Sequence, residues 1–146
     1  MLSDNLKHVL YDSNEKTISL EKEVHFIDNY IKFQKIRTEG VKKIVYHKNL
    51  DNLNYKIAPL LLLTIIENAF KHSSLNSDIV INIKIENGSL NFTCENDFNP
   101  NKVTTTDFKI GLQNLEKRLA LIYDGQYELN IDKSDRFRVS LKLELT

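Results

Sequence analysis

The sequence predicts an α/β (α+β) fold: a two-layer sandwich in which helices cover one face of a mixed, largely antiparallel sheet, with further helices at the N-terminus. Isoleucines alternate with polar residues over 79–85, an Asn87-Gly88 turn follows, and alternation resumes over 90–94, which predicts a β-hairpin. Apolar residues with helical spacing occur in several other segments. The half-polar strands therefore suit a sheet that helices cover on one face.

Length and composition set broad limits on the protein. The 146 residues suffice for one hydrophobic core, and 20 basic and 20 acidic residues cancel, so nothing indicates a nucleic-acid surface. The one cysteine, Cys94, lies in a strand-like alternation and is expected to be a small core residue. No apolar run reaches the length of a membrane span, and no secretory signal opens the chain. We expect a cytoplasmic protein.

The N-terminal region is predicted to be helical. Apolar spacing indicates a first helix over 2–12. A second helix is expected to begin after an N-cap at Ser19 and to end near Thr38, with Glu21 and Glu23 in a first turn where the helix dipole favours acidic residues. Its wide apolar surface fits contact with another helix, either in a partner chain or within the same core.

The remaining elements alternate between strands and helices. Pro59 is expected in the first turn of the third helix, and Asp124-Gly125 ends the fourth, which begins near Gly111. Residues 96–109 are expected to form a polar loop long enough to be functional. The other predicted strands cover 41–48, 127–131 and 137–145.

The predicted third helix is almost wholly apolar except for one stripe. Its polar side chains occupy positions 64, 67, 68, 71 and 72, a spacing that aligns them on a single face. On a mostly buried helix such a stripe is expected to face a cavity or a ligand. The alternative is a solvated face on which Glu67 and Lys71 form an ion pair. Asn68 and His72 are poor helix formers, so helix propensity alone does not explain their presence.

The stripe has the chemistry of a metal and phosphate site. The amide oxygen of Asn68 beside a carboxylate suits Mg²⁺, which takes one or two protein oxygens and fills its other positions with water and phosphates. Lys71 and His72 can donate to phosphate oxygens. Glu67 can hold a metal-bound water or the attacking nucleophile.

Two further segments are candidates for the same pocket. Lys109-Ile110-Gly111-Leu112 is expected at the start of a helix, where free backbone N–H groups bind anions and a glycine permits close approach. The same glycine equally fits an ordinary helix start. Asn96 is predicted to share the inward face of its strand with Cys94, where its side chain can read the edge of a base. An Asn after a strand is otherwise a common turn former.

These segments resemble the motifs of a known family. Glu67-Asn68-Ala69-Phe70-Lys71-His72 resembles the N-box of the GHKL (Bergerat-fold) ATPases, in the form found in LytS-like sensor histidine kinases. Residues 110–119 resemble the family's G2 box and the helix after it, and residues 20–37 resemble the segment that leads into its ATP-binding domain. The likeness covers essentially the whole chain, and the two boxes together are more specific than either alone.

The resemblance implies a Bergerat ATPase fold and the catalytic domain of a two-component sensor histidine kinase, with ATP and Mg²⁺ as cofactors. It implies catalytic roles for Glu67 and Asn68, with Asn68 as the metal ligand. The nucleotide contacts that it implies are Asn68, Lys71, His72, Asn96, Lys109, Ile110, Gly111 and Leu112. Residues 1–38 would end the dimerisation and phosphoacceptor region, and residues 39–146 would form the ATP-binding domain.

Partners and location follow from the same resemblance. It implies transfer of the γ-phosphoryl group to a histidine on a helix of the same or a partner protomer, and onward transfer to a response regulator. It also implies a homodimeric full-length protein, anchored in the inner membrane, of which this chain is a cytoplasmic domain without a nucleic-acid partner. None of His8, His25, His47 and His72 lies in the family's acceptor motif, so the fragment is expected to be inactive alone.

The sequence departs from the family pattern where the base would bind. Asn96 stands where the G1 box places an Asp followed by glycines, and no glycine occurs between Gly88 and Gly111. An amide oxygen can accept from an adenine amino group, but it lacks the charge that strengthens the bond. One rival interpretation is a pseudokinase or nucleotide-regulated interaction module. Another is a GHKL kinase acting on a protein serine, against which the helices predicted over 2–38 argue.

Overall fold

The structure, a computed structural model, describes residues 17–73, 76–97, 105–133 and 136–145. For residues 105–110 it describes the backbone alone. The helix predicted over 2–12 lies outside these ranges, and so does the middle of the loop predicted over 96–109.

The described elements follow the predicted order, with two short strands added. They are β1 (Ile18–Ser19), α1 (Leu20–Arg37), β2 (Ile44–Leu50), β3 (Lys56–Ile57), α2 (Leu61–His72), β4 (Ile79–Glu86), β5 (Ser89–Asn96), α3 (Thr105–Tyr123), β6 (Tyr127–Asp132) and β7 (Phe137–Glu144). The added strands, β1 and β3, pair antiparallel with each other. At two residues each, they are too short to show a periodicity in the sequence.

The main sheet has five strands in the order β2-β4-β5-β7-β6. β2 and β4 are parallel, and the other neighbouring strands are antiparallel. Every second residue of β4 and β7 is buried, because the helices pack against one face of the sheet. The predicted two-layer sandwich with a mixed, largely antiparallel sheet is confirmed.

Two predicted turns are confirmed by their backbone conformation. Asn87 and Gly88 have φ values of 53° and 80°, so both central residues of the β4–β5 hairpin adopt the left-handed region that a type I′ turn requires. Asp124 and Gly125, with φ values of 29° and 81°, follow the last residue of α3. Each turn thus ends an element where the sequence predicts its end.

Helix α1 has the predicted bounds and packs into the core of this chain. The Ser19 side chain accepts a hydrogen bond from the backbone N–H of Lys22 at 3.2 Å, and Thr38 ends the helix. The apolar residues on its inner side belong to the same buried cluster as those of α2 and the sheet. Phe33 and Ile36, near its end, are exposed. The wide apolar surface is therefore explained mainly by burial within one core.

The predicted start of α2 is wrong by two residues. Pro59 does not occupy its first turn, because the helix begins at Leu61 after Leu60, whose φ of 60° is left-handed. No side chain at the N-cap position bonds the helix. The first turn therefore needs acceptors from elsewhere in the chain for its free N–H groups.

A glutamate from α1 provides those acceptors. The Oε1 atom of Glu23 accepts from the backbone N–H of Leu60 at 2.8 Å. Its Oε2 atom accepts from the N–H groups of Leu62 and Leu63 at 3.0 and 3.2 Å. The Glu23 side chain is 0% exposed. A carboxylate on one helix thus caps another helix, whose N-cap residue lies 37 residues later in the sequence.

The same junction is tied to α3. Arg118 donates a hydrogen bond to the carbonyl oxygen of Pro59, and the backbone N–H of Ala58 donates to the Tyr123 hydroxyl at 2.9 Å. Burial raises the pKa of Glu23 to about 7, against the smaller opposing effects of its backbone hydrogen bonds and of the Arg118 charge. The three helices therefore meet at one buried carboxyl group.

The Glu23 carboxyl group should make the stability of the fold depend on pH. Its pKa rises from an ordinary value of 4.5 to about 7 in the fold, so its contribution to stability is complete below pH 4.5 and is lost as pH rises through 7. We expect the free energy of unfolding of the wild type, relative to that of Glu23→Gln, to fall between about pH 5 and pH 8. Urea denaturation at several pH values measures this difference.

Glu21→Gln is the matched control, because Glu21 is exposed in the first turn of the same helix. Its difference from the wild type should stay constant over the same range. A flat profile for Glu23→Gln would contradict the prediction.

Candidate functional site

Helix α2 carries the stripe of predicted site residues in its last two turns. Glu67, Asn68 and His72 are half-buried, and Lys71 is exposed. The neighbouring apolar residues of the helix are buried in the core. The stripe thus lies along the border between core and surface, which leaves its polar groups accessible to a ligand.

A cleft of about 340 Å³, including the space open to solvent, lies beside this stripe. Residues from α2, α3 and two strands line it: Ile65, Asn68, Ala69, Cys94, Leu112, Leu115, Phe137 and Val139. Burial raises the pKa of the Cys94 thiol to about 12, so this group stays protonated as the predicted core residue. Asn68 gives the otherwise apolar cleft a polar group.

Gly111 lies directly against Asn68. A Cβ atom at Gly111 would stand 3.4 Å from the Nδ2 atom of Asn68 and 4.0 Å from its Oδ1 atom. The structure therefore brings together residues from the two predicted motifs, 43 positions apart in the sequence (111 − 68). Asn68 and Leu112, one from each motif, line the cleft.

The predicted start of the helix at Lys109-Ile110-Gly111-Leu112 is wrong. Helix α3 begins at Thr105, so the four residues with free N–H groups are 105–108 and the motif lies inside the helix. For Lys109 and Ile110 only the backbone is described, and Leu112 lines the cleft. The role of these four residues in binding a nucleotide stays a prediction.

Asn96 ends β5 on the inward face, as predicted. It is 1% exposed, it shares its face with Cys94, and it pairs with Phe137 on β7, which places it next to two residues of the cleft. Its Nδ2 atom donates to the carbonyl oxygen of Asp97 at 2.8 Å. Its Oδ1 atom is buried and accepts no hydrogen bond from the described part of the chain. A buried acceptor of this kind fits a donor group on a ligand.

A buried serine bonds the backbone of the residue that follows Asn96. The Ser77 hydroxyl accepts from the backbone N–H of Asp97 at 2.7 Å and donates to the carbonyl oxygen of Asp78 at 2.9 Å. Ser77 is 2% exposed. The Asn96 NH₂ group donates to the carbonyl oxygen of the same residue, Asp97, which leaves the Asn96 oxygen as the acceptor for another partner.

Two cations surround the same strand ends. Arg136 forms an ion pair with Asp97 at 3.0 Å and donates to the Asp78 carbonyl at 3.3 Å. Lys42 donates to the Ser73 hydroxyl at 2.9 Å, just after α2, and to the Ser77 carbonyl at 3.2 Å. Burial lowers the pKa of Lys42, and the nearby carboxylates oppose this change. This polar network, Lys42, Ser73, Ser77, Asp78, Asp97 and Arg136, joins the end of α2 to the strand ends near Asn96.

Helix α1 also reaches the stripe. The Tyr30 ring packs edge-to-face on Phe70, with ring centroids 5.6 Å apart. Burial, and then the charge of Glu67, raise the pKa of Tyr30 to about 12. Tyr30 of α1 therefore lies close to Glu67, a residue of the stripe.

Two features are absent from the part of the chain that the structure describes. No group of three or more His, Cys, Asp or Glu residues there has the arrangement of a metal site. No helix in the described ranges is long and apolar enough to cross a membrane.

The sequence interpretation missed the cap from Glu23 and the role of Ser77. One signal for the first was available: Ala58, Pro59 and Leu60 contain no capping side chain, so the cap of α2 had to come from elsewhere. Nothing in the sequence marks Ser77, because a serine before a strand is common in turns.

Comparison with known protein families and sequences finds similarity to histidine kinases. The family model described as "Histidine kinase" matches residues 1–41. The sensor protein kinase HptS of Staphylococcus aureus, in strains USA300 and N315 among others, is 29% identical over 84 residues. These residues are 58% of this chain and 16% of that protein, so the chain spans a small part of the relatives it matches.

Solved structures of histidine kinases have the same fold. The catalytic domain of ThkA matches with a TM-score of 0.59 and 12% identity, covering 88% of this chain and 93% of that one. AdeS of Acinetobacter baumannii matches with a TM-score of 0.58 and 13% identity, covering 90% and 67%. Full-length ShkA in complex with AMPPNP matches with a TM-score of 0.62 and 11% identity, covering 89% and 31%.

These similarities confirm the predicted resemblance at the level of the sensor histidine kinases, and the fold is that of their catalytic domains. The likeness to the LytS-like form in particular stays a prediction.

Ser77→Ala should destabilise the protein, because it leaves the buried N–H group of Asp97 without an acceptor. We expect a loss of about 1–3 kcal/mol in the free energy of unfolding, measured by urea denaturation. Ser89→Ala is the control, since that hydroxyl donates only a long 3.3 Å bond to exposed Glu144, and it should cost at most about 0.5 kcal/mol. Equal effects of the two changes would contradict the role of Ser77.

Proposed function

We propose that this relative of the sensor histidine kinases binds ATP in the cleft beside Asn68 and transfers its γ-phosphoryl group to a histidine outside this chain. One observation carries the proposal: Asn68 and Gly111, from two separate motifs, stand in contact at a cleft whose neighbouring strand end holds a buried amide oxygen. The presence of AMPPNP, an ATP analogue, in the structure of ShkA supports it.

The phosphates would lie along the stripe of α2. Lys71 and His72 are one turn beyond Asn68 on the same face, so their cationic or donor groups can reach phosphate oxygens next to it. Gly111 leaves the Asn68 side chain uncovered, because it has no Cβ atom to fill the space. The backbones of Lys109, Ile110 and Leu112 would complete this wall of the cleft.

The residues present fit a magnesium ion that is held mainly by the nucleotide. Mg²⁺ usually takes one or two protein oxygens, and the half-buried Asn68 amide offers one. Bound there, the ion would neutralise charge on the phosphates during transfer. Glu67, next to Asn68 in the sequence, would orient a water or the attacking imidazole through its carboxylate.

The base would bind at the end of β5. The Oδ1 atom of Asn96 is the acceptor left over after its NH₂ group bonds the Asp97 carbonyl, so it can receive the 6-amino group of adenine. A guanine base has a carbonyl oxygen where adenine has its 6-amino group. That oxygen would face the Asn96 Oδ1 atom, and neither atom can donate a hydrogen bond. The arrangement therefore favours ATP over GTP.

The surrounding protein is part of the proposal. Residues 1–38 would end the dimerisation and phosphoacceptor region and residues 39–146 would form the ATP-binding domain. The acceptor histidine would lie on a helix of the same or a partner protomer of a homodimer, and a response regulator would receive the phosphoryl group. The parent protein would be anchored in the inner membrane with this domain in the cytoplasm.

Titration with a non-hydrolysable ATP analogue, with and without Mg²⁺, tests the proposal. We expect binding that Mg²⁺ strengthens. The pseudokinase alternative has an observation in its favour, the uncharged Asn96 at the base position. Absence of binding at about millimolar nucleotide would favour that alternative and contradict a kinase.

Asn68→Asp should impair use of the magnesium nucleotide while the fold stays intact. The change replaces the amide NH₂ group, which lies 3.4 Å from the Gly111 position, by a charged oxygen that repels the phosphates. We expect phosphorylation of a supplied acceptor domain to fall at least about tenfold. Asn91→Asp, on an exposed position of β5, is the control and should retain activity. Normal activity of Asn68→Asp would contradict the role of Asn68.

Asn96→Leu should remove the preference for adenine. The substitution deletes the Oδ1 acceptor, and a neutral hydrogen bond contributes about 0.5–1.5 kcal/mol, so the affinity for ATP should fall about two- to twelvefold. The affinity for GTP, which gains nothing from Oδ1, should change less. Competition binding of the two nucleotides measures both values. An unchanged ratio would show that Asn96 does not read the base.

A further inference from the structure

The Glu23 carboxyl is the one acidic group that is fully buried in the described ranges. Burial opposes its ionisation more strongly than its three backbone hydrogen bonds favour it, as the raised pKa shows. A buried charge of this kind is a poor means of stabilising a fold. What Glu23 provides beyond a cap is a link between α1 and α2.

The contact between Glu23 and α2 lies near both helices that line the cleft, α2 and α3. Leu62, bonded by Glu23, precedes Asn68 by six residues in one helix, or about 9 Å along its axis (68 − 62 = 6). On the other side, Arg118 bonds the carbonyl of Pro59, and Gly111 is in the same helix as Arg118. A displacement of this junction would therefore move Asn68 and Gly111 relative to each other.

We propose that Glu23 is a positioning residue for the nucleotide site: its carboxylate fixes the first turn of α2 against α1 and thereby sets the place of Asn68 opposite Gly111. This inference rests on the proposed function for its effect on ATP, although the position of Asn68 can be measured without a nucleotide. A shift of α1 would reach the phosphate side of the site through this carboxylate.

Glu23→Gln tests the proposal in the full 146-residue chain. The glutamine keeps the shape and one acceptor oxygen, but its NH₂ group would face N–H groups of Leu60, Leu62 or Leu63, so one part of the cap is lost. We expect the side-chain amide signal of Asn68 in the NMR spectrum to shift without nucleotide. At a temperature where circular dichroism shows a folded protein, affinity for an ATP analogue should fall about tenfold.

Glu21→Gln is the control and should change neither readout, because Glu21 is exposed on the same turn. If Glu23→Gln lowers the melting temperature but leaves the Asn68 signal and the affinity unchanged, Glu23 is merely structural and the proposal is wrong. If the glutamine variant does not fold, Glu23→Asp serves instead, since it keeps the charge but shortens the reach of the carboxylate. The Asn68 signal should then shift, and an unchanged signal would overturn the proposal.

A pH series separates positioning from general destabilisation. Two groups of α3 face Glu23. The charge of Arg118 is constant, and burial raises the pKa of the Tyr123 hydroxyl. Of these three groups, Glu23 is therefore the group that changes its charge near neutral pH. The ratio of wild-type to Glu23→Gln affinity should fall as pH drops below 7, where the wild-type carboxylate is protonated. A ratio independent of pH would contradict the proposal.

Failure of this inference can be told from failure of the proposed function. If the wild type binds no ATP analogue, the proposed function is wrong, whereas the Asn68 signal still decides the role of Glu23. If the wild type and Glu23→Gln bind the ATP analogue with equal affinity, the proposed function stands and only the proposed role of Glu23 is wrong.

Discussion

The contact between the Glu23 carboxylate and the first turn of α2 is the interaction on which the site depends. Helix α2 is apolar and begins after a residue that cannot cap it, so its free N–H groups need an acceptor that the core does not otherwise offer. Glu23 supplies that acceptor from α1, and Arg118 of α3 bonds the carbonyl immediately before the helix. The hydrogen bonds of Glu23 and Arg118 thus join α1, α2 and α3 at the start of α2. This junction holds the two helices that line the cleft, α2 and α3, in position.

Most of the fold and the position of the polar stripe on α2 could be predicted because both depend on local signals. Alternation of isoleucines, the Asn87-Gly88 turn and the apolar spacing of α1 act over a few residues, and the structure confirms them. The start of α2 could not be predicted, because Pro59 is only locally suited to a first turn and the true cap comes from 37 residues away. The start of α3 at Thr105 was hidden by polar residues that resemble a loop.

Position 96, where we propose that the base binds, shows why a single substitution cannot be judged alone. An Asn at position 96 lacks charge, but its amide can be oriented, and an aspartate cannot donate to the Asp97 carbonyl as Asn96 does. That carbonyl belongs to the residue whose N–H is bonded by the buried Ser77. The chain thus combines an uncharged acceptor at position 96 with a backbone carbonyl that accepts from the same amide, a contact that the resemblance to a family motif does not reveal.

The parallel pairing of β2 with β4 has a consequence for the order of folding. The strands from β4 to β7 pair antiparallel with one another, and the β4–β5 hairpin closes over a two-residue turn. β2 can pair with β4 only by closing a loop that contains β3 and the whole of α2, from Leu50 to Ile79. Because closing longer loops costs more chain entropy, we expect the β4–β5 and β6–β7 hairpins to form first. The pairing of β5 with β7 and that of β2 with β4 both close long loops and should follow. Helix α2 would then be enclosed in one of the later steps, and the cleft beside Asn68 would be completed at the same time.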